Sequence, residues 1–183
     1  MELRDTILQK SYELFYKQGF HDSGVELLAK RSGTTKRTLY AHFGSKEGLI
    51  EEALKYRHQM FMTQLENDFD DFEIEKVADV ATCYLNFLKN WTLSEDFYGC
   101  MFINACAEYS DKQSSPHLIA KQHKTEVRKW LLDNFEQISA ENAKQKSDTL
   151  FVFGEGIIVA AQTDQESLEL NLELNTDFFK VLD

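Results

Sequence analysis

The chain has 183 residues, 43% of them hydrophobic and 13% aromatic, enough to bury a sizeable core and too apolar for a disordered chain. A net charge of -11 argues against a nucleic-acid binder if the charge is spread evenly. It is not: residues 1–48 hold 8 Lys and Arg against 6 Asp and Glu, and the remainder holds 12 against 25, so a slightly basic head precedes an acidic body.

Only 8 glycines and 1 proline are present. Antiparallel β proteins need more turns than that, so an all-α fold is expected. No N-terminal stretch reads as a signal peptide, and no apolar run approaches the ~20 residues that span a bilayer. Three cysteines, Cys83, Cys100 and Cys106, are odd in number and lack zinc-ligand spacing. The expectation is a cytoplasmic protein with free thiols, no metal, no cofactor and no membrane role.

The first predicted helix runs from about Glu2 to Gln18, with Ile7, Leu8, Ser11, Leu14 and Phe15 on one face and Gly19 as its stop. Ser23, three residues before Glu26, reads as the capping box of a short second helix that ends before Gly33. A third covers Thr35 to Phe43. Gly44 breaks it, and Ser45 caps a longer helix through Leu49, Ile50, Ala53, Leu54, Met60 and Phe61. The acidic stretch Asn67 to Glu75 reads as a loop. Val77, Val80, Ala81, Tyr84, Leu85 and Leu88 then mark an amphipathic helix. Phe97 to Tyr109 reads as one buried helix, and Pro116 opens another that runs to about Ile138. Leu150 to Ala161 is almost wholly apolar. Its Gly154 and Gly156 each cost ~1 kcal/mol relative to Ala in a helix, a cost usually tolerated for close backbone approach. From Leu168 to Leu182 the leucines alternate like a strand, yet the segment also segregates at helical spacing. With no partner strand in sight, a helix with a wide apolar face is expected.

Two short helices flank Gly33 at a specific spacing. Ala29 is small where they cross, Gly33 follows four residues later and can take the positive φ of a tight turn, and Leu39 can reach back into the core. These intervals are the packing signature of a helix-turn-helix. On the second short helix Leu39 and Phe43 face inward. Thr35, Lys36, Arg37, Thr38 and His42 are left outward with no acidic residue among them. Such a surface suits phosphates and base edges, and Lys36 or Arg37 could donate to guanine O6 and N7.

Residues 4 to about 57 resemble the DNA-binding domain of the tetracycline-repressor (TetR) family. Ile7-Leu8, Leu14-Phe15 and Gly19-Phe20 look like its first helix, and Ser23-Gly24-Val25, Leu28-Ala29 and Gly33 like its second helix and turn. Thr38-Leu39-Tyr40, His42-Phe43 and Ser45-Lys46-Glu47-Gly48-Leu49 look like the recognition helix and the start of the fourth. The resemblance implies an N-terminal three-helix helix-turn-helix domain, 1–48, and a C-terminal helical effector-binding and dimerisation domain, 49–183. It implies that Ser23 caps the second helix and contacts phosphate. Thr34, Thr35, Thr38, Tyr40 and His42 would make phosphate or groove contacts, Lys46 would bind phosphate, and Lys36 and Arg37 would read bases. Two departures stand out: Gly24 replaces the common Ser or Thr, and Arg37 stands where a small residue is frequent.

The C-terminal part resembles the family more loosely, in Gly99 to Glu108 and Gly154 to Gln162. The resemblance implies a homodimer through the last two helices, double-stranded operator DNA as partner, an unidentified small-molecule effector, and a repressor rather than an enzyme. Phe87, Trp91, Met101, Phe102, Tyr109 and Trp130 are candidate effector contacts, alongside their more ordinary reading as core aromatics. Cys100 offers an alternative, a thiol that senses oxidants, against the ordinary reading of a buried small hydrophobe. Cys100 and Cys106 are expected on different faces of one helix, too far apart for a disulfide. His117, His123, Glu108 and Asp111 match no metal-ligand spacing and are expected to be solvated or locally bonded.

Overall fold

The structure is a computed structural model that describes residues 2–163. Among these there are eight helices and no strand: α1 (Leu3–Gln18), α2 (Val25–Arg31), α3 (Lys36–Phe43), α4 (Lys46–Asp70), α5 (Val77–Thr92), α6 (Met101–Glu108), α7 (Ser115–Gln137) and α8 (Ala143–Thr163). The helix expected over Leu168 to Leu182 lies outside the described residues. The chain groups into two compact units. Among the described residues, one comprises 2–60 with 101–123, and the other comprises 61–100 with 124–163.

In the first unit α1 packs on α2 and α2 on α3. Ile7, Phe15, Leu28, Leu39, Leu49 and Ile50 are all buried and come from the helical positions that the apolar spacing selects, and Phe20 of the loop after α1 is buried as well. Arg4 of α1 bonds Glu52 of α4 at 2.6 Å, and its guanidinium lies 5.1 Å from the Phe43 ring centroid. That bond, more than any other contact, holds the Glu52 carboxyl below the usual carboxylate range.

In the second unit α5 packs on α8. α5 buries ten positions, Val77 to Thr92, so two of its faces are covered. Gly154 of α8 is where the helices approach closely: a Cβ there would stand 2.8 Å from both Leu88 Cδ1 and Tyr84 Cε1. At Gly156 a Cβ would meet no described atom within 4 Å, so only the first glycine answers to close packing. Gly154→Ala gains up to ~1 kcal/mol of helix propensity. It also presses a methyl against the fully buried Tyr84 ring, at ~1–3 kcal/mol for overpacking. The clash wins, and the variant's urea midpoint is expected to fall by an amount equivalent to about 1 kcal/mol.

Three elements differ from expectation. α4 continues to Asp70 through the acidic stretch because Phe69 is buried and sits 4.2 Å from the Trp130 ring, edge on. That contact carries the helix past Asn67. The predicted helix over Phe97 to Tyr109 shrinks to Met101–Glu108. Gly99 has φ +91 and lies against the Gln162 side chain, leaving no room for a Cβ, so the backbone turns there rather than spiralling. Cys100 therefore precedes α6 and does not share a helix with Cys106. The capping box at Ser23 does not form. The N-cap of α2 is Gly24, and the buried Ser23 hydroxyl donates back to the Gly19 carbonyl at 2.7 Å.

Candidate nucleic-acid interface

The turn between α2 and α3 is built on Gly33. Its φ of +64 is left-handed. The Thr34 N–H donates to the Ala29 carbonyl at 2.9 Å and the Gly33 N–H to the Lys30 carbonyl at 3.2 Å, the paired bonds that close a helix through a left-handed residue. α3 then starts on Thr35, whose Oγ1 accepts the Thr38 N–H at 3.2 Å and lies 2.9 Å from Thr38 Oγ1. Leu39 and Phe43 are buried, which turns the opposite face of α3 to solvent.

That face carries the expected residues. Thr35, Lys36, Arg37 and His42 are exposed, and Thr34, Thr38, Tyr40 and Lys46 are half-buried. Among the described residues no hydrogen bond or ion pair holds the Arg37 guanidinium. Lys36 is held: its Nζ is 3.1 Å from Glu26 Oε1 and 5.9 Å from the Tyr40 ring centroid. The Glu26 hydrogen bond raises the Lys36 pKa. Glu26 in turn lies below the usual carboxylate range, first through a hydrogen bond from its own backbone and then through Lys36. Lys46 Nζ donates to the His21 carbonyl at 3.3 Å. Ser23 is the exception to the expected set, because its hydroxyl is wholly buried and already bonded.

The start of α4 fixes the far end of α3. Gly44 has φ +75 and its N–H donates to the Tyr40 carbonyl at 2.8 Å. Ser45 Oγ then accepts the Gly48 N–H at 3.0 Å. A Cβ on Gly48 would drive into the Phe43 carbonyl oxygen.

Residues 7–53, the segment that builds this arrangement, match the family described as bacterial regulatory proteins, tetR family. The HTH-type transcriptional repressor ComR of Escherichia coli (strain K12) is 30% identical over 128 residues, 68% of this chain. The chain spans 60% of the length of that relative. The HTH-type transcriptional regulator LmrA of Bacillus subtilis (strain 168) is 28% identical over 177 residues, 91% of this chain and 90% of LmrA. A TetR-family transcriptional regulator from Streptomyces coelicolor has a similar fold, with a TM-score of 0.87 at 21% identity over 97% of this chain and 93% of that one. So does the reduced form of E. coli NemR, with a TM-score of 0.79 at 20% identity over 97% of each chain.

The chain belongs to the TetR family of transcriptional regulators. The relatives and structural neighbours named above whose descriptions state a role are a repressor and transcriptional regulators. No helix among the described residues of this TetR-family chain is long and apolar enough to cross a membrane.

The six candidate effector contacts of this TetR-family chain are shared between the two compact units. Phe87 and Trp91 share a set of edge-on rings with Phe61 and Phe97, at centroid distances of 4.9–5.5 Å. Trp130 pairs with Phe69. Met101, Phe102 and Tyr109 belong to the other compact unit, where Phe102 stacks on His123 at 3.6 Å and Tyr109 packs beside Phe20 and His21.

Several contacts escaped the sequence. His123 is buried, not solvated, and its Nδ1 lies 3.0 Å from His58 Nδ1. His117 Nδ1 lies 2.9 Å from the Tyr109 carbonyl. Lys124 Nζ is 2.7 Å from Glu155 and 3.6 Å from the buried Cys100 sulfur. Cys83 is buried beneath Asp68, and burial pushes its thiol up to about 12, so it is inert as a nucleophile. Glu108 binds the loop between α1 and α2. Apart from Tyr109 and His117, eight residues apart, these partners are distant in sequence, and no local pattern marks them.

Proposed function

We propose that this chain is a ligand-responsive transcriptional repressor that binds a pseudo-palindromic operator as a homodimer. One observation carries the reading most of the way: a capped recognition helix that presents Thr35, Lys36, Arg37 and His42 to solvent with its apolar side sealed. Residues 1–48 form the DNA-binding domain and 49–183 the effector-binding and dimerisation domain. The two recognition helices enter successive major grooves about 34–36 Å apart. Lys36 and Arg37 reach base edges, while Thr34, Thr35, Thr38, Tyr40, His42 and Lys46 hold phosphates and groove walls.

Dimerisation through α8 and the segment that follows it agrees with the outer face of α8. Gln145, Thr149, Val152, Gly156 and Val159 recur at helical spacing and are exposed, Val152 to 68% and Val159 to 48%. A small effector bound within 49–183 favours a conformation whose heads no longer match the operator, and it acts only through its different affinity for the two states. The protein works in the cytoplasm, where the DNA is. The names of the matched relatives, a repressor and several HTH-type regulators, support the same reading.

The test is selection of genomic fragments with the purified full-length protein at two salt concentrations. A short palindromic sequence, recovered more weakly at high salt, is the expected result, because Lys and Arg release counterions from DNA. Recovery of no common sequence would sink the proposal.

A second reading is favoured by one contact. Lys124 Nζ lies 3.6 Å from Cys100 Sγ, which places a charged side chain against the sulfur. On this reading oxidation of Cys100 releases the operator. Cys100→Ser separates the two: a thiol sensor loses its response to peroxide, and a ligand sensor retains its own response unchanged.

A further inference from the structure

We propose that Glu108 is a positioning residue for DNA recognition, a carboxylate that pins the α1–α2 loop and so sets the placement of α2 and α3. The inference rests on the DNA-binding reading above. Its whole apparatus lies inside one compact unit.

The loop after Gln18 leaves two consecutive backbone donors, Phe20 N–H and His21 N–H, with no acceptor near them in sequence. Glu108, at the last position of α6, takes both. Its Oε1 accepts the Phe20 N–H at 2.9 Å and its Oε2 accepts the His21 N–H at 2.6 Å. Oε2 is also 3.0 Å from His21 Nδ1. Two donors on one ionised acceptor make a strong and directional clamp, stronger than the same bonds to a neutral oxygen. The neighbouring Tyr109 ring closes the site from the side, 6.1 Å from Phe20 and 5.2 Å from His21 by centroids.

The fit leaves no slack. Gly19 has φ +80, and a Cβ there would stand 2.9 Å from Glu108 Oε1. Phe20 is wholly buried, so the loop cannot slide without withdrawing that ring from the core. The loop leads within four residues into α2, and the Gly33 turn joins α2 to the recognition helix. On its other side the pinned His21 carbonyl accepts from Lys46, a candidate phosphate contact. One carboxylate, 88 residues from Phe20 in sequence, therefore anchors the backbone from which both α2 and Lys46 take their positions.

A residue that only stabilises the fold lowers the melting point and leaves the DNA preference of the folded protein unchanged. A positioning residue changes that preference. The experiment uses full-length wild type, Glu108→Ala and Glu108→Gln, with the operator duplex selected by wild type and duplexes whose half-sites are moved apart or together by one base pair. Glu108→Ala is expected to bind the selected operator about tenfold more weakly and to discriminate less between the three spacings. Glu108→Gln keeps one acceptor oxygen and is expected to fall between. Should the alanine variant fail to fold, the glutamine variant carries the comparison. Amide hydrogen exchange without DNA gives an independent readout, with Phe20 and His21 expected to lose protection in both variants. Wild-type affinity and spacing preference in folded variants, or unchanged protection at Phe20 and His21, would overturn the inference. A wild-type protein that selects no operator defeats the DNA-binding reading first, and the exchange result still reports whether the clamp exists.

Discussion

Gly48→Ala is expected to lower the melting temperature by about 6–12 °C and to abolish specific DNA binding at temperatures where the wild type is intact. The cause is local. Gly48 sits in the first turn of α4, where its N–H donates to the capping Ser45 hydroxyl at 3.0 Å. The chain has just doubled back from α3 through Gly44, and this brings the Phe43 carbonyl oxygen into the space that a Cβ on residue 48 would fill. The obstructing atom belongs to the backbone, so no rotamer change relieves the clash. Either the end of α3 or the start of α4 must move. Both are anchored, Phe43 at 8% exposure and Leu49 fully buried. Overpacking of this kind costs about 3 kcal/mol, the upper end of the usual range, which for a chain of this length corresponds to the stated shift. Ser45→Ala, which removes only the cap, is expected to cost about 1 kcal/mol. Urea melts followed by far-UV circular dichroism would compare the two. A Gly48→Ala protein within ~0.5 kcal/mol of wild type would mean that the α3–α4 turn is looser than the structure has it.

Gly48 also shows where sequence reading stops. The helix-turn-helix was legible because its determinants are local: Ala29, Gly33 and Leu39 at fixed intervals, apolar side chains every three or four residues, and hydroxyls at Thr35 and Ser45 where helices begin. Each acts on neighbours within a turn or two, and spacing alone exposes it. Ser23 obeyed the same local rule and still failed as a cap, because burial turned its hydroxyl toward Gly19. The effector candidates were chosen by residue type, and type does not say which rings meet. Phe61 and Phe69, not chosen, hold Phe87, Trp91 and Trp130 in place. The pairs Glu108 with Phe20, His58 with His123 and Lys124 with Glu155 join residues tens of positions apart, with no periodicity to announce them. The break at Gly99 needed the Gln162 side chain to explain it, and that contact spans 63 residues of chain. Local chemistry built the helix-turn-helix, and long-range contacts complete the packing within each unit.

Arg37→Ala is expected to weaken operator binding by about 5- to 150-fold, or ~1–3 kcal/mol, while leaving the urea midpoint unchanged. Arg37 is exposed on the outward face of α3, and among the described residues nothing competes for its guanidinium. It can therefore meet a guanine edge without first losing a protein contact, and its fork geometry allows both acceptors to be met at once. Loss should be concentrated at one base pair of the half-site, with discrimination there relaxed and the rest of the operator preference kept. Lys36 is placed differently. Its ammonium must leave Glu26 before it can reach DNA, and Glu26 itself would then face the phosphates. The pair is exposed, so it opposes that exchange only weakly. Lys36→Ala is accordingly expected to relax discrimination at its own base pair while costing less affinity than Arg37→Ala. Glu26→Gln should act in the opposite direction, by freeing the lysine and removing a charge that repels phosphate. The assignment is decided by where specificity is lost. If either substitution lowers affinity uniformly for all sequences and makes the slope of log affinity against log salt smaller by about 1, that residue contacts phosphate and not a base edge.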